Sequence, residues 1–577
     1  MEMNTIRSHF DAAVEAAPDS VFLRHCEDGV WKARTFAGVK EDVLRVLAAF
    51  RRFGLEPSAR PRVALMLENR PEWVVAYLAL AGTGIVVVPM DPKLRAAEAA
   101  HVLRDSGAAL VIAAPRQGDV LAEAAKSLPD LAAAVWVGDA APDGFPRPSF
   151  AWRRMMEAVT PSMLADAACW YDAHVPDDDT LASLIYTSGT TGRPKGAMLT
   201  HGNFAANAEQ TIARVPFHPT DVFLNVLPMF HAFSFTGNFL LPLFARGSTA
   251  FTRGLRFIAD DMLEVHPTVL LAVPLLAEKL FQRVQSKIQQ SLVASGLFKF
   301  QMSRRLVARK VIERFGGRLR VLGVGGAPVS RDTLEGFIKL GLFVLEGYGI
   351  TECAPGVSYP APDDYEPGTV GRPLDGMEWK IVDPDETGAG ELLVKGPNVT
   401  SGYWNNPDGT RSAFTEDGFY RTGDIVRLSA RGHICICGRT KALIVNREGK
   451  NIYPEEIEQV LEHAPLVKDV VVLGYTVGGE VGEHVGAIVV PDEDAVRAHL
   501  KDKALTREEM AIFITGYVQA ACRAQLADYK LPRKIEVRFD PLERTSSMKV
   551  RRVVYKGALD EAGSPIAPAA PEEQENA

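Results

Sequence analysis

The chain has 577 residues, 47% hydrophobic and 24% charged, with a formal net charge of −8. That composition excludes a disordered, collagen-like or coiled-coil protein, and the acidic balance offers nucleic acid no global attraction. Six scattered cysteines are too few for a disulfide scaffold in a chain with room for about three to five domains.

The first twenty residues lack an apolar core followed by a cleavage site, so no secretory signal is expected, and cytoplasmic residence with reduced thiols follows. Short runs rich in branched residues, each flanked by an amphipathic stretch, predict strands of βαβ units: Arg62–Met66, Ile85–Val88, Leu110–Ala113, Val269–Val273 and Leu319–Val324. The longest uncharged apolar stretch, Val74–Met90, is broken by Gly82, Gly84 and Pro89. It reads as a buried helix to about Ala81 and then a strand, being shorter than the roughly 20 residues of a membrane span. After the apolar LASLI comes Tyr186-Thr-Ser-Gly-Thr-Thr-Gly-Arg-Pro-Lys-Gly196. A loop of small and hydroxyl residues brings backbone N–H groups and hydroxyls against phosphate oxygens, with Lys195 adding charge. It is not a Walker A loop, because Pro194 stands where the Gly-Lys pair should begin.

His231 lies in the apolar run LPMFHAFSF. The neighbouring Phe230, Phe233, Phe235, Phe239 and Leu240 either line an acyl tunnel or fill the core, and periodicity does not separate the two. Between Lys279 and Arg320, eleven Lys/Arg face the single acid Glu313, a local +10 on an acidic protein. Two readings stand: a surface for anionic headgroups or a phosphate-rich ligand, or a solvated helical face balanced by acids elsewhere. Past Pro360 the texture turns to Gly/Pro-punctuated short strands, a small barrel-like portion. Cys435 and Cys437 alternate with Ile434 and Ile436, as on a strand, and lack further ligands for a metal. A Pro-led helix at PEEIEQVLEHAP, with strands Val470–Leu473 and Val485–Val490, predicts a compact α+β domain. The tail 561–577, of Ala, Pro, Glu and Gln, has little to bury and is expected to be disordered.

Five segments together carry a resemblance: the loop Thr187, Ser188, Gly189, Thr190, Thr191, Gly192 and Lys195; Gly347-Tyr-Gly-Ile-Thr-Glu352; Tyr420-Arg-Thr-Gly-Asp424; Gly438-Arg-Thr-Lys441; and Lys549 in SSMKVRR. In this order they resemble the adenylate-forming superfamily of acyl-CoA synthetases, luciferases and peptide-synthetase adenylation domains, over about residues 10–557. The resemblance implies an α/β fold with a large N-terminal AMP- and acyl-binding domain (1–438) of parallel-sheet subdomains plus a small barrel. It also implies a mobile C-terminal α+β domain (439–560). It casts Lys549 and Thr351 at the α-phosphate, His231 beside the acyl carboxylate, and Glu352 with Thr187 at Mg²⁺. Tyr348, framed by Glu346, Gly347 and Gly349, would stack on adenine opposite Gly326-Ala327-Pro328. Asp424 would hold the ribose hydroxyls and Arg439 the sugar–phosphate. Lys441 would be the hinge that brings either Lys549 or the Gly449 loop to the site.

Two departures stand out. Met548 occupies a position that is often Gly in the family, and Val445 one where some long-chain enzymes carry a second lysine. The wording of 346–355 and 449–458 resembles the bacterial long-chain fatty-acid–CoA ligase group. That implies ATP, Mg²⁺ and coenzyme A acting on a fatty acid, with an acyl carrier protein as the alternative acceptor. A non-catalytic nucleotide or acyl sensor and an aryl-acid ligase are the remaining alternatives.

Overall fold

The structure is a computed structural model that describes residues 4–187, 194–290, 301–327, 329–446, 450–477, 482–501, 505–544 and 550–560. The fold is mixed α/β, with a large N-terminal and a smaller C-terminal part, as expected. The chain divides into two compact units, the larger holding residues 1–380, 393–422 and 429–434, the smaller 381–392, 423–428 and 435–577.

Two sheets organise the larger unit. A seven-stranded sheet runs in the order Ser149–Ala151, Ala133–Trp136, Leu110–Ala113, Arg62–Met66, Val86–Pro89, Leu181–Thr187, Lys195–Thr200. Every pairing is parallel except the last, which is an antiparallel hairpin. A nine-stranded sheet has a parallel centre that includes Val222–Asn225, Val269–Ala272, Val321–Gly325 and Phe343–Gly349, with antiparallel strands at both edges. Its parallel strands are buried on both faces, which is why they read as continuous branched runs rather than alternating ones.

One hydrophobic core takes side chains from both sheets. The helix Pro71–Ala81 lies in it with every residue from Trp73 to Ala81 buried. This explains a helix apolar on all sides and no longer than 11 residues. Pro71 at its first position and Glu72 in its first turn start it where a missing N–H costs nothing and a carboxylate meets the positive helix end. Trp73 and Tyr77 stack in parallel at 5.5 Å, and Phe235 and Phe239 meet Tyr77 edge-on at 4.8 and 5.7 Å. Each such ring contributes on the order of 2 kcal/mol by burial. Phe235, Phe239 and Leu240 are therefore core residues, while Phe230 and Phe233 stay half-buried. Among the described residues, no helix is long and apolar enough to cross a membrane.

The region after Pro360 forms a four-stranded sheet in sequence order, Glu378–Val382, Gly390–Lys395, Tyr420–Leu428, Ile434–Arg439. In the smaller unit, Val467–Tyr475 pairs antiparallel with His484–Pro491, which pairs parallel with Lys534–Val537. The helices Pro454–Glu462 and Arg507–Gln525 pack on this sheet through Ile457, Leu461, Ile514 and Val518. The tail 561–577 lies outside the described residues.

Candidate active site

The hydroxyl-rich loop joins the two strands of the hairpin, whose register sets Tyr186 opposite Gly196 and Thr187 opposite Lys195. Ser188, Gly189, Thr190, Thr191 and Gly192 lie outside the described residues. The Tyr186 hydroxyl donates to Asp105 Oδ2 at 2.6 Å, fixing the outgoing strand. On the returning strand, Lys195 Nζ sits 5.1 Å from the centroid of the Tyr403 ring, within the range where an aromatic face attracts a cation.

The strands Val321–Gly325 and Phe343–Gly349 run parallel with Gly325 beside Gly347, and their C-terminal ends are where open α/β sheets bind ligands. Gly326, in a left-handed conformation at φ +91°, and Ala327 follow as exposed residues; Pro328 lies outside the described residues. Tyr348, between the two glycines, is only 9% exposed. The glycines answer to packing within the protein. A Cβ on Gly347 would lie 2.8 Å from the Tyr359 ring, and one on Gly349 only 2.3 Å from the Pro355 carbonyl oxygen. Half-buried His231 precedes the short helix Ala232–Phe235, its carbonyl accepting the Phe235 N–H at 2.9 Å. Two residues on, Phe233 reaches within 3.3 Å of where a side chain on Gly325 would begin.

After Gly349 the chain enters a single 3₁₀ turn, Thr351–Cys353, held by the segment 398–403. Thr400 N–H donates to the Glu352 carbonyl at 2.7 Å, and the Asn398 amide donates to the carbonyls of Cys353 and Gly356 at 3.0 and 2.8 Å. The Tyr403 hydroxyl donates to Glu352 Oε1 at 2.7 Å and lies 2.9 Å from the Tyr420 hydroxyl. Burial first, and then the Glu352 charge, push both phenols well above their ordinary range. They remain protonated, and Tyr420 donates to Tyr403. The same segment reaches back to the hairpin, where Met198 N–H donates to the Gly402 carbonyl at 3.0 Å and Trp404 N–H to that of Gly196 at 2.8 Å.

Asp424, Arg439 and Lys441 belong to the smaller unit. Asp424 is 2% exposed and accepts from Arg439 Nε at 2.9 Å. The residues assigned separately to ribose and sugar–phosphate are therefore paired with each other. Lys441 is exposed in the turn Thr440–Ala442. Gly449 and Lys549 lie outside the described residues.

The AMP-binding enzyme model matches residues 10–404. The chain belongs to the AMP-binding enzyme family. It is 32% identical over 537 residues to the long-chain-fatty-acid–CoA ligase of Escherichia coli O6:H1, covering 89% of this chain and 88% of that one. It is 31% identical over 470 residues to human long-chain-fatty-acid–CoA ligase 6, covering 75% and 66%. Among solved structures, ATP-bound MatB from Rhodopseudomonas palustris superposes with a TM-score of 0.72 at 29% identity, covering 95% of this chain and 99% of that one.

In this AMP-binding enzyme, sequence reasoning missed Asn398, Thr400 and Tyr403. For Tyr403 the signal was the Ser-Gly-Tyr-Trp run of 401–404, which follows the strand Gly390–Lys395. Tyr420 stood in a quoted motif, but only Asp424 was read from it.

Glu346 has a role that spacing could not show. Its buried carboxyl accepts backbone N–H groups of Val329 and Gly368, while Oε2 has no partner among the described residues. Burial, opposed by those two bonds, pushes it up to about 8. A carboxyl raised this way binds a proton in the folded state that the unfolded chain has released, so stability falls as pH rises from about 4.5 toward 8. Glu346→Gln keeps the shape without the charge. Urea unfolding at pH 5 and pH 8 is expected to show the wild type losing stability across that window and the variant losing less.

Proposed function

We propose that this AMP-binding enzyme activates a long-chain fatty acid with ATP and passes the acyl group to coenzyme A. A fatty carboxylate is a poor electrophile. When its oxygen bonds to the α-phosphorus and pyrophosphate leaves, the product is a mixed anhydride with AMP as a good leaving group. The thiol sulfur then bonds to the acyl carbon, the thiol proton goes to solvent, and the C–O bond to AMP breaks. No protein nucleophile takes part, so the chain's task is positioning and charge neutralisation.

The observation that carries this reading is the tie between the phosphate-loop hairpin and Glu352 through Tyr403, which gathers a cation, hydroxyls and an oriented carboxylate in one unit. The named ligases over most of the chain support it. Lys195 and the loop hydroxyls would bind phosphates, Thr351 would contact the α-phosphate, and Asp424, oriented by Arg439, would accept from the ribose. His231 would lie beside the acyl carboxylate. Residues 439–560 would turn about Lys441, bringing Lys549 for the first step and the Gly449 loop for the second.

Magnesium fits the donors present. Among the described residues no three His, Cys, Asp or Glu gather as a metal cage, and Mg²⁺ characteristically takes one or two carboxylates plus substrate phosphates. Glu352 and the Thr187 hydroxyl would hold it. When bound, the ion neutralises phosphate charge and polarises phosphoryl oxygen.

With ATP and Mg²⁺, pyrophosphate release across acids from acetate to oleate is expected to be fastest on long chains. Coenzyme A should accept the acyl group without a carrier protein. A fastest rate on short or aromatic acids overturns the substrate class, and thioester formed only on a carrier protein overturns the acceptor.

The same reading brings the basic stretch 279–320 against anionic lipid, the source of such a substrate. Within it Arg320 pairs with Asp221 and Arg309 with Glu313. Arg305, Lys310 and Arg314 remain exposed on the helix Gln301–Arg314, beside Leu306 at 62% exposure. The protein is expected to sediment with anionic vesicles at low salt and to leave them as salt rises. Equal partition to neutral vesicles, or none to either, contradicts the contact.

A further inference from the structure

Tyr403 stands where three elements of the larger unit converge, and none of the assigned roles uses it. Its backbone bridges to Ala197 on the hairpin strand that carries Lys195. Its ring lies under the Lys195 ammonium. Its hydroxyl donates to Glu352 Oε1 at 2.7 Å and receives the Tyr420 hydroxyl at 2.9 Å. A carboxylate on a single 3₁₀ turn has free rotation about its side-chain bonds unless something outside the turn fixes it. Here the backbone of the turn is fixed by Thr400 and Asn398, and the carboxylate, among the described residues, by Tyr403.

We infer that Tyr403 is a positioning residue for magnesium: its hydroxyl, oriented by Tyr420, holds one oxygen of Glu352 and would leave the other to take the ion. The inference rests on the reading of Glu352 as the metal ligand. The donated hydrogen bond occupies one lone-pair direction of Oε1 and leaves Oε2 as the acceptor for the cation. The arrangement is that of an outer partner that orients a ligating carboxylate, whose loss typically weakens metal affinity by about 10–100-fold. The ring serves a second purpose. By lying against Lys195 it holds the phosphate-loop lysine and the metal carboxylate at one spacing, so nucleotide charge is met by both from a single frame.

Tyr403→Phe keeps the ring, its contact with Lys195 and the strand bridge, and removes only the hydroxyl. The expected result is about a tenfold rise in the Mg²⁺ concentration needed for half-maximal pyrophosphate release, with the fatty-acid KM unchanged. Thioester formation from synthetic acyl-adenylate and coenzyme A, which uses no ATP-bound metal, should keep its rate. A readout independent of turnover is Mn²⁺ binding in the presence of a non-hydrolysable ATP analogue, followed by electron paramagnetic resonance, which should weaken by a similar factor. Tyr420→Phe, which removes only the orienting donor, should shift both in the same direction by less.

Glu352→Gln separates the two layers. If it raises the Mg²⁺ requirement and Tyr403→Phe does not, the positioning role is wrong and the ligand reading stands. If neither variant moves Mg²⁺ or Mn²⁺ affinity, the ligand reading fails and the inference with it. Equal losses in both half-reactions, with a lowered melting temperature, would make Tyr403 structural and overturn the proposal.

Discussion

Lys549→Ala is expected to lower fatty-acid-dependent pyrophosphate release by about 10²–10³-fold, the loss typical of removing one group that neutralises charge developing in a transition state. Coenzyme A thioester formation from synthetic acyl-adenylate should stay within about threefold of wild type, because no phosphoryl transfer occurs in that step. Lys549 lies outside the described residues, but the chain on either side is tied down. Arg544 and Val550 form an antiparallel bridge, and Arg551 N–H donates to the Glu543 carbonyl at 2.8 Å. Stopped-flow measurement of each half-reaction distinguishes this outcome from general damage. Equal losses in both halves, or full adenylation by the variant, would remove Lys549 from its assigned role.

A second large effect is expected three residues further on. Arg552 Nη1 donates to Glu455 at 2.8 Å, and Nη2 to both oxygens of Glu458 at 2.6 and 2.7 Å. The two carboxylates project from the helix Pro454–Glu462, and Glu458 also accepts the Val472 N–H at 2.7 Å. Burial raises the Glu458 carboxyl, with Arg552 opposing that rise. Arg552→Met leaves two largely buried carboxylates without their cation, at a cost of about 2–3 kcal/mol given their partial exposure. The loss should be greater at pH 8 than at pH 5, since the unfolded chain gives up the proton that the stranded Glu458 retains. In Arg552→Met/Glu458→Gln the neutral amide should recover much of the stability. Urea unfolding followed through the smaller unit reads all three values. A double variant no more stable than the single one would show that the cluster acts by shape rather than charge.

The parts legible in the sequence were those whose cause is local. Strands of the two large sheets announced themselves as short branched runs because burial on both faces demands it. Their ends moved by one or two residues, as at Val321–Gly325 against an expected Leu319–Val324, since burial ends gradually along an apolar run. The buried helix to Ala81 was legible from its length and its glycines. Partnerships made by folding were not legible. Tyr403 meets Glu352 across 51 residues and Asn398 meets Cys353 across 45, and no spacing within either segment encodes the contact. Asp424 and Arg439 belong to separate motifs, and no spacing within either shows that the fold pairs them. A side chain at Gly347 would meet Tyr359 and one at Gly349 would meet Pro355, neighbours that no local spacing names.

The central claim is that the carboxylate of a fatty acid attacks the α-phosphorus of ATP. Palmitate labelled with ¹⁸O in both carboxyl oxygens tests it most directly, in one turnover with ATP, Mg²⁺ and coenzyme A. One labelled oxygen bridges carbon and phosphorus in the adenylate and leaves with AMP when the thiol displaces it. Mass spectrometry is therefore predicted to find a single ¹⁸O in AMP and none in pyrophosphate. Unlabelled AMP, or ADP with labelled inorganic phosphate, would contradict the account.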